Sequence, residues 1–432
     1  MDLLREIKNR ETKFSCIKQK AQENPNEVFT SLAHHLTQEY LLNSFSKLRK
    51  SAASGIDKES ARDYASNLSM RIEDLYNRLC SHKYKAPHIR RAWINKGDGK
   101  QRPLGISTTE DKIVQRAVAD ILNLIYEQDF YDFSYGFRPK RNAHQALSYL
   151  RGQCMRRKIS WILDADIQGC FDNFDHTVMM ELLSRRIKDT AILRLIKQWL
   201  KAGVVDGSSL QFSIQGTPQG NIISPLLCNI YLHHVLDTWL DKTIRPLLKG
   251  EIFVIRYADD FIIGFEYEAD ARRVANVLPK RMNRFGLTIH PEKSKLIRFT
   301  PDGKGKPPTF DFLGFTHYWT KTQRGNPVVK RKTCHKKMQG VIRKLTDTCR
   351  FNKHAKLKDQ YKLLCSKLRG LYQYYGIRGN FISINRMYRT VIKAWFKWLN
   401  RRSQRHSYTW KGYRELLRHF TFPWPRIMHY NV

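Results

Sequence analysis

The stretch RYADDF, residues 256–261, puts two adjacent aspartates inside an otherwise apolar run, FVIRYADDFIIGF (253–265). Short apolar runs rich in β-branched and aromatic residues predict strands. A buried ionised carboxylate costs several kcal/mol unless a basic side chain or a metal ion meets it. By themselves, Asp259 and Asp260 are more typical of a simple turn, which aspartate often begins. The pair therefore raises a question that other parts of the chain must answer.

A second predicted strand, WILDADIQGCF (161–171), also carries acidic residues and runs into a tight loop at Gly169. Asp164 and Asp166 lie on the same face of this strand, as residues two apart do. Only a fold could bring them close to Asp259. Building a nucleic acid by phosphoryl transfer uses two Mg²⁺ ions, which prefer oxygen ligands and leave room for substrate and water. Two or three aspartates are a suitable number for that purpose.

The remaining pattern predicts an α+β protein. HIRRAWINKGDGKQRPLGI (88–106) reads as a hairpin with its turn at KGDGK. Helices are predicted over 108–130, with a cap at Thr108 or Thr109, and over 174–202. Ser224 followed by proline predicts an N-cap, and the pattern is helical again from residue 335 onward.

The charge is strongly basic and uneven. The 432 residues contain 77 Lys and Arg against 39 Asp and Glu, a net charge of +38. Residues 321–432 hold 28 basic and 3 acidic residues, or +25, interleaved with tyrosines and tryptophans. That combination suits phosphate neutralisation and base stacking, and favours nucleic acid over a merely solvated basic surface.

Several classes are disfavoured by composition. The eight cysteines include no CxxC pair, so neither a zinc ribbon nor a redox pair is indicated, and scattered thiols suggest a reducing compartment. The N-terminus lacks an apolar signal core, and no membrane association is expected. We expect a cytoplasmic protein, bacterial and associated with the nucleoid.

An ordered series of motifs resembles the reverse transcriptases encoded by group II introns, which are also maturases. The resemblance covers roughly residues 45–400. Its elements are SGID (54–57), the hairpin 88–106, SYGFRPKRNAHQAL (134–147), DADIQGCFDNFDH (164–176), GTPQGNIISPLLCNIYL (216–232), RYADDF (256–261), HPEKSK (290–295) and FLGF (312–315).

The resemblance implies a right-hand polymerase, with fingers and an antiparallel palm sheet followed by an α-helical thumb or maturase domain. The implied boundaries are 1–60 for an N-terminal helical extension, 61–160 for fingers, 161–325 for the palm, 326–405 for the thumb and 406–432 for a short basic-aromatic tail. Departures from the family pattern are INK for IPK, QGN for QGG, and CF for FF after the first catalytic aspartate.

Catalytic roles follow from matching positions. Asp166 and Asp259 would bind two Mg²⁺ ions, for which Mn²⁺ would substitute, with Asp260 in support and the main-chain carbonyl of Ile167 completing the shell. The resemblance selects Asp166 over Asp164 because an aromatic residue follows Asp166 by five positions.

That aromatic residue, Phe171, would exclude a ribose 2′-hydroxyl and so select dNTPs, although an ordinary core aromatic is the alternative. Lys96 and Arg102 would hold the triphosphate. Lys293 or Lys295 would protonate the departing pyrophosphate. The other residues implied at the nucleotide are Gly169, Cys170, Gln219 and Gly220.

Contacts with nucleic acid are expected from basic residues in the hairpin, the GFRP element and the C-terminal helices. They are Arg90, Arg91, Arg138, Arg141, Lys393, Lys397, Arg401 and Arg402. The implied partners are structured intron RNA, an RNA template, a DNA primer or target, and dNTPs; the sequence leaves the oligomeric state open.

The predicted function is RNA-directed DNA synthesis together with intron-RNA binding that assists splicing and retromobility. The chain resembles the type without a C-terminal HNH endonuclease, which would borrow primers such as nascent strands at replication forks. Two alternatives remain open. One is an RNA-binding splicing factor without polymerase activity. The other is a reverse transcriptase recruited to phage defence or CRISPR spacer acquisition.

Overall fold

The structure is a computed structural model that describes residues 14–95, 101–156, 158–206, 209–211, 215–217, 220–301 and 308–432. The chain forms two compact units. The first comprises residues 1–142, 165–263 and 269–295, and the second comprises 143–164, 264–268 and 296–432. This division differs from the boundaries predicted at 160/161 and 325/326, because one boundary between the units falls within the strand that carries Asp166.

The described residues contain twelve strands and form an α+β fold. The strands are β1 (Ile89–Asn95), β2 (Gln101–Ile106), β3 (Trp161–Gln168), β4 (Val204–Asp206), β5 (Ser209–Gln211), β6 (Ile252–Tyr257), β7 (Asp260–Phe265), β8 (Thr288–Ile289), β9 (Lys295–Arg298), β10 (Thr309–Phe312), β11 (Phe315–Lys321) and β12 (Pro327–Thr333).

Helices make up most of the first unit. Two π-helical turns, His233–Asp237 and Trp239–Ile244, extend one of the α-helices, and Ala33–His35 and Arg245–Leu247 are short 3₁₀ turns. The α-helices are 14–23, Gln38–Ser46, Ala61–Ala65, Leu68–Cys80, Thr109–Asp129, Cys170–Asn173, His176–Ser184, Thr190–Lys201, Ser224–Leu232 and Glu268–Asn283.

The helix starts test the capping predictions. Thr108 accepts a hydrogen bond from the amide of Asp111 at 3.2 Å, which confirms it as the cap of the helix from Thr109. The single helix predicted over 174–202 is instead two helices, because the Asp189 side chain caps a new start at Thr190. The predicted Ser224 cap is wrong: Ser224 is already helical and the N-cap position is Ile223.

The first unit holds a four-stranded sheet in the order β2-β1-β4-β5. β1 and β2 pair antiparallel from Arg90↔Ile106 to Asn95↔Gln101, which confirms the predicted hairpin. The turn proposed at KGDGK lies outside the described residues. β1 also pairs in parallel with β4, a connection that the sequence did not indicate.

A second sheet has the order β6-β7-β3-β8, with β9 pairing with β3 off this path. β6 and β7 form the predicted hairpin around the aspartates and are joined by only Ala258 and Asp259. All of β6 except Tyr257 and all of β7 except Asp260 are buried. The sheet therefore presents the aspartates at the one end of the hairpin that reaches solvent.

The second unit combines a helix, a sheet and a helical C-terminal part. Its sheet has the order β10-β11-β12, all antiparallel. Trp395 is fully buried in the helical part, and its indole donates to the side-chain oxygen of Gln360 at 2.8 Å. The α-helices of this unit are Ala143–Arg156, His335–Phe351, Leu357–Tyr375, Phe381–Leu399 and Trp410–His419.

The last residues, predicted as a short basic-aromatic tail over 406–432, pack within the second unit. A helix starts at Trp410 and Phe422 is buried. The amides of Met428 and His429 donate to the carbonyl of Gly376 at 2.7 and 3.0 Å. The segment is thereby an integral part of the C-terminal fold.

The eight cysteines are free thiols, in agreement with the sequence. In the part of the chain that the structure describes, no helix has the length and apolar character needed to cross a bilayer.

Asp111 provides a test of the core of the first unit. Its side chain is buried and accepts hydrogen bonds from Tyr84 and Trp199, each at 2.7 Å, and from Gln115 at 2.8 Å. Asp111→Ala leaves these donors without an acceptor, so we expect a loss of about 3 kcal/mol in unfolding free energy. Urea denaturation followed by tryptophan fluorescence measures it. Asp74→Ala, at an exposed ion pair with Arg78, is the control and should change stability by less than about 0.5 kcal/mol. Equal stabilities for the two variants would contradict the role of Asp111.

Candidate active site

The β6–β7 turn positions the first carboxylate. Ala258 has a positive φ of 58°, the conformation that a two-residue hairpin turn of the primed type requires at its first position. Asp259 is half-buried, whereas Asp260, the first residue of β7, is exposed. The two aspartates thus have different environments although they are adjacent in sequence.

β3 positions the second carboxylate within the same unit. The amide of His290, just beyond β8, donates to the carbonyl of Asp166 at 2.8 Å. Since successive carbonyls of a strand point to opposite sides, the carbonyl of Ile167 points away from β8. The Asp166 side chain is 19% exposed and forms an ion pair with Lys293.

Asp166 and Asp259 lie on neighbouring strands of one sheet, with Asp166 in β3 and Asp259 directly before β7. Burial raises the pKa of the Asp259 carboxyl above its usual value, and the nearby charge of Asp166 raises it further. The positive charges of Arg102 and Lys293 act in the opposite direction on the same pKa. Charges from three other sequence motifs, those of Asp166, Arg102 and Lys293, therefore act on the Asp259 carboxyl. Their joint role in one catalytic site stays a prediction.

Asp164, the alternative first aspartate, belongs to the second unit. Asp166, two residues later in β3, belongs to the first unit, as Asp259 does. The choice of Asp166 over Asp164 stays a prediction.

A divalent cation fits this pair of carboxylates. Burial and mutual repulsion disfavour the charged form of Asp259, and a cation between the two groups would reverse both effects. Lys293 is 61% exposed, so it can leave Asp166 without stranding a buried charge. In the described ranges no group of three or more His, Cys, Asp and Glu residues is arranged to hold a metal by itself. Mg²⁺ commonly takes one or two carboxylates and completes its shell with water and phosphate.

The loop after β3 places Phe171. Gly169 adopts a left-handed conformation with φ of 56° and begins the short helix Cys170–Asn173. Phe171 is 9% exposed, its ring lies edge-on to Phe137 at 6.1 Å, and its carbonyl accepts from Thr217 at 2.6 Å. Phe171 therefore lies beneath the 215–217 segment that leads to the QGN motif.

Cys170 corrects one prediction. It is buried, and its sulfur lies 3.3 Å from the sulfur of Cys228. Its side chain consequently packs in the core, which leaves only its main chain for a nucleotide contact.

Gly220 is required by close packing. It has φ of 117°, and a Cβ there would lie 2.5 Å from the carbonyl oxygen of Gly105 in β2. Its backbone therefore approaches the hairpin that carries Arg102. Gln219 and Lys96 lie outside the described residues, and their predicted contacts remain predictions. Lys295, the other candidate acid, is exposed at the start of β9, whereas Lys293 reaches Asp166.

Arg138 is engaged within the protein, which argues against its predicted contact with nucleic acid. Its side chain is 4% exposed and pairs with Glu127 at 3.0 Å. It also donates to the carbonyls of Tyr131 and Ser134 at 2.7 and 2.8 Å. Arg138 thus stabilises the loop that precedes it, through its hydrogen bonds to Tyr131 and Ser134.

The other predicted nucleic-acid residues are more accessible. In the second unit Lys393, Lys397 and Arg401 are exposed and Arg402 is half-buried. In the first unit, Arg90 donates to the carbonyl of Ser54 at 2.7 Å. Arg91 donates to the side-chain oxygen of Gln211 at 3.0 Å. Arg141 donates to the carboxylate of Asp132 at 2.5 Å.

Arg256, the basic residue of the RYADDF motif, is not the counterion of the motif's aspartates. Its side chain is fully buried and pairs with Asp237. Sequence reasoning missed Asp237, and also Asn229, which contacts the same guanidinium. The signal available was the polar character of both residues inside the apolar stretch 226–237.

The raised pKa of Asp259 gives a pH-dependent prediction. The folded state disfavours the charged form of Asp259. The carboxyl therefore lowers the free energy of unfolding as pH rises above its pKa in the unfolded chain, near 3.8. At lower pH this cost disappears. Without divalent cations, Asp259→Asn should therefore raise the melting temperature at pH 7 by about 2 °C. The gain should vanish near pH 4.

Mg²⁺ should then stabilise the wild type more than Asp259→Asn. Thermal melts in EDTA and in MgCl₂ measure both effects. Asp132→Asn, at a carboxylate that is 96% exposed, is the control and should show neither effect. A lower melting temperature for Asp259→Asn at pH 7 in EDTA would contradict the assignment.

Comparison with known proteins identifies the family. Residues 94–317 match the reverse transcriptase (RNA-dependent DNA polymerase) family. The group II intron-encoded protein LtrA of Lactococcus lactis subsp. cremoris is 38% identical over 237 residues, which cover 54% of this chain and 38% of LtrA.

Two further relatives are similar over comparable lengths. Protein YkfC of Escherichia coli is 33% identical over 237 residues, which cover 48% of this chain and 62% of YkfC. An uncharacterized 91 kDa protein in the cob intron of Schizosaccharomyces pombe is 28% identical over 354 residues, covering 68% of this chain and 43% of the relative. The chain thus spans between 38% and 62% of the length of these relatives. It belongs to the reverse transcriptase family.

Proposed function

We propose that the protein is an RNA-directed DNA polymerase that extends a primer 3′-hydroxyl with dNTPs. The observation that carries the proposal is that Asp166 lies in β3 and Asp259 directly before β7, the neighbouring strand of the same sheet, with Lys293 paired to Asp166. A structural turn would not need a second carboxylate from a strand distant in sequence. A nucleotidyl-transfer site needs both carboxylates, together with cations for the triphosphate.

Each residue of the candidate active site has a proposed role in nucleotidyl transfer. Asp166 and Asp259 would hold two Mg²⁺ ions, or Mn²⁺ in their place, with Asp260 and the Ile167 carbonyl in support. When bound, such ions lower the pKa of the attacking hydroxyl and offset charge on the phosphates. Arg102, together with Lys96, would bind the triphosphate through charge-assisted hydrogen bonds. Lys293, rather than Lys295, would donate a proton to pyrophosphate, because it already reaches the carboxylate site.

Phe171 would select the sugar. It follows β3 directly and packs under the segment that leads to Gln219, the residue that would line the nucleotide pocket. A ring at this place would clash with a 2′-hydroxyl while accepting a deoxyribose. Gly169, the Cys170 main chain and Gly220 would shape the surrounding backbone.

The proposed architecture is that of a right hand. The sheet of β3, β6, β7 and β8 would be the palm, and the β1–β2 hairpin with its helices would be the fingers. The helices from His335 onward would form the thumb or maturase domain.

RNA and DNA are the proposed partners. The charge of +25 over residues 321–432 supports binding of structured intron RNA, an RNA template and a DNA primer or target. RNA would be recognised mainly by shape and backbone. We propose that this binding assists splicing and retromobility, and that the protein acts in the cytoplasm at the nucleoid.

The polymerase proposal is tested by primer extension. Purified protein should incorporate dNTPs on an RNA template with an annealed DNA primer when Mg²⁺ is present. Asp166→Asn and Asp259→Asn should each lower the rate by about 10³-fold, because each removes a charged ligand. Asp164→Asn, two residues earlier in β3, is the matched control and should retain activity.

A wild-type protein that binds RNA yet extends no primer would contradict the polymerase proposal. It would support the reading of the chain as an RNA-binding splicing factor.

The sugar-selection proposal is tested by substituting Phe171. Phe171→Ala should raise the incorporation of rNTPs relative to dNTPs by about tenfold or more, since it opens space for the 2′-hydroxyl. Phe171→Tyr keeps the ring and should preserve discrimination. The ratio of kcat/KM for the two nucleotides is the measurement. An unchanged ratio in Phe171→Ala would assign the ring to the core.

A further inference from the structure

The guanidinium of Arg256 is the centre of a buried hydrogen-bond network behind the β6–β7 turn. Its Nε and one Nη donate to the two carboxylate oxygens of Asp237 at 2.8 and 2.5 Å. Its other Nη donates to the side-chain oxygen of Asn229 at 2.9 Å and to the carbonyl of Ala258 at 3.2 Å. The side chains of Arg256 and Asp237 are both 0% exposed.

The contact with Ala258 connects this network to the catalytic turn. The Ala258 carbonyl belongs to the peptide bond that leads directly into Asp259, so its direction sets the direction of the next residue. A non-glycine residue with positive φ costs about 1–2 kcal/mol and persists only where its surroundings enforce it. The Arg256 hydrogen bond is such an enforcing contact.

Asn229 extends the network to the GFRP element. Its side-chain nitrogen donates to the carbonyl of Gly136 at 2.8 Å. A Cβ at Gly136 would lie 2.3 Å from the amide nitrogen of Ala258, so only glycine allows this close approach. Ala258 is thus packed closely against Gly136 and hydrogen-bonded by Arg256.

Burying this ion pair has no obvious benefit for stability. Apolar residues of the same volume are often as stabilising as a buried ion pair, which makes a positional role the better explanation. The planar guanidinium offers donors in fixed directions, as is needed to hold Asp237, Asn229 and a carbonyl at the same time. A lysine ammonium cannot reproduce that arrangement.

We propose that Arg256 is a positioning residue for nucleotidyl transfer: held by Asp237 and Asn229, it fixes the Ala258 carbonyl and thereby the carboxylate of Asp259. The inference rests on the proposed polymerase function. Arg256 touches neither substrate nor metal in this role. It acts on the reaction only through the placement of Asp259.

The test compares two buried arginines. Arg256→Lys should lower the single-turnover rate of primer extension by about 10²-fold, as expected when a ligand is misplaced by about 1 Å. It should also raise the Mg²⁺ concentration for half-maximal rate severalfold, while the affinity for template–primer stays within about twofold of wild type.

Arg186→Lys is the matched control. Arg186 is also buried and bidentate to an aspartate, with both contacts to Asp129 at 3.0 Å, and it binds main-chain carbonyls near the N-terminus. We expect Arg186→Lys to lower the melting temperature about as much as Arg256→Lys does. It should not shift the Mg²⁺ dependence of the rate. An Mg²⁺ dependence shifted equally in both variants would show that Arg256 is merely structural and would overturn the proposal.

A second variant covers the case in which Arg256→Lys does not fold. Asp237→Asn keeps the shape of the acceptor and removes its charge, so it should shift the rate and the Mg²⁺ dependence in the same directions by a smaller factor. Normal Mg²⁺ dependence in a folded Asp237→Asn protein would then overturn the proposal.

The affinity for Mn²⁺, titrated by electron paramagnetic resonance without substrate, separates this inference from the polymerase proposal. If the wild type makes no DNA on any template, the polymerase proposal fails. Weaker Mn²⁺ binding in Arg256→Lys than in Arg186→Lys still supports the positioning role, and equal Mn²⁺ binding in the two variants contradicts it.

Discussion

Charged side chains are buried around the β6–β7 turn, and burying a charge costs free energy unless an opposite charge compensates it. The candidate active site depends on this constraint. Asp259 is half-buried, and burial together with the nearby charge of Asp166 raises the pKa of its carboxyl, an effect that a bound cation would oppose. Directly behind the turn, Arg256 and Asp237 are buried completely and compensate each other. The buried arginine is therefore neutralised by its own aspartate. The carboxylates of Asp166 and Asp259 are left for exchangeable cations. Lys293, which is largely exposed, is one such cation, and a metal ion is another.

The sequence indicated the hairpins, the Thr108 cap and the strands that carry Asp166 and Asp259, because each rests on a local pattern or an ordered set of motifs. It did not indicate the partner of Arg256. Asn229 and Asp237 lie eight residues apart, which in a straight α-helix puts them about 80° apart around the axis. The π turn His233–Asp237 accommodates an additional residue, and this lowers that angle. Since a π turn has no distinct sequence period, the shared contact became visible only in three dimensions.

The motif residues also show that a recognisable pattern does not reveal what each residue contacts. In GFRP, residues 136–139, the arginine is occupied by Glu127 and the glycine lies against the catalytic turn. An expectation based on charge alone assigned Arg138 to nucleic acid and overlooked Gly136. Cys170 is similar, since its place beside Phe171 suggested a nucleotide contact and its side chain packs against Cys228. The burial of the Arg138 and Cys170 side chains determines what each one contacts. Their burial depends on elements that are distant in sequence.

The position of Arg256 explains why a basic residue so close to two aspartates does not neutralise them. Arg256 is buried, as are the other residues of β6 before Tyr257, and its guanidinium is held by Asp237 and Asn229. If Arg256 paired with Asp259 instead, the carboxylate would lose its capacity to bind a metal, and Asp237 would become an uncompensated buried charge. Asp237 therefore contributes in two ways: it makes the burial of Arg256 tolerable, and it keeps that cation from Asp259. The proposed role of Asp259 as a metal ligand thus depends on a second carboxylate, that of Asp237, which is buried behind the turn.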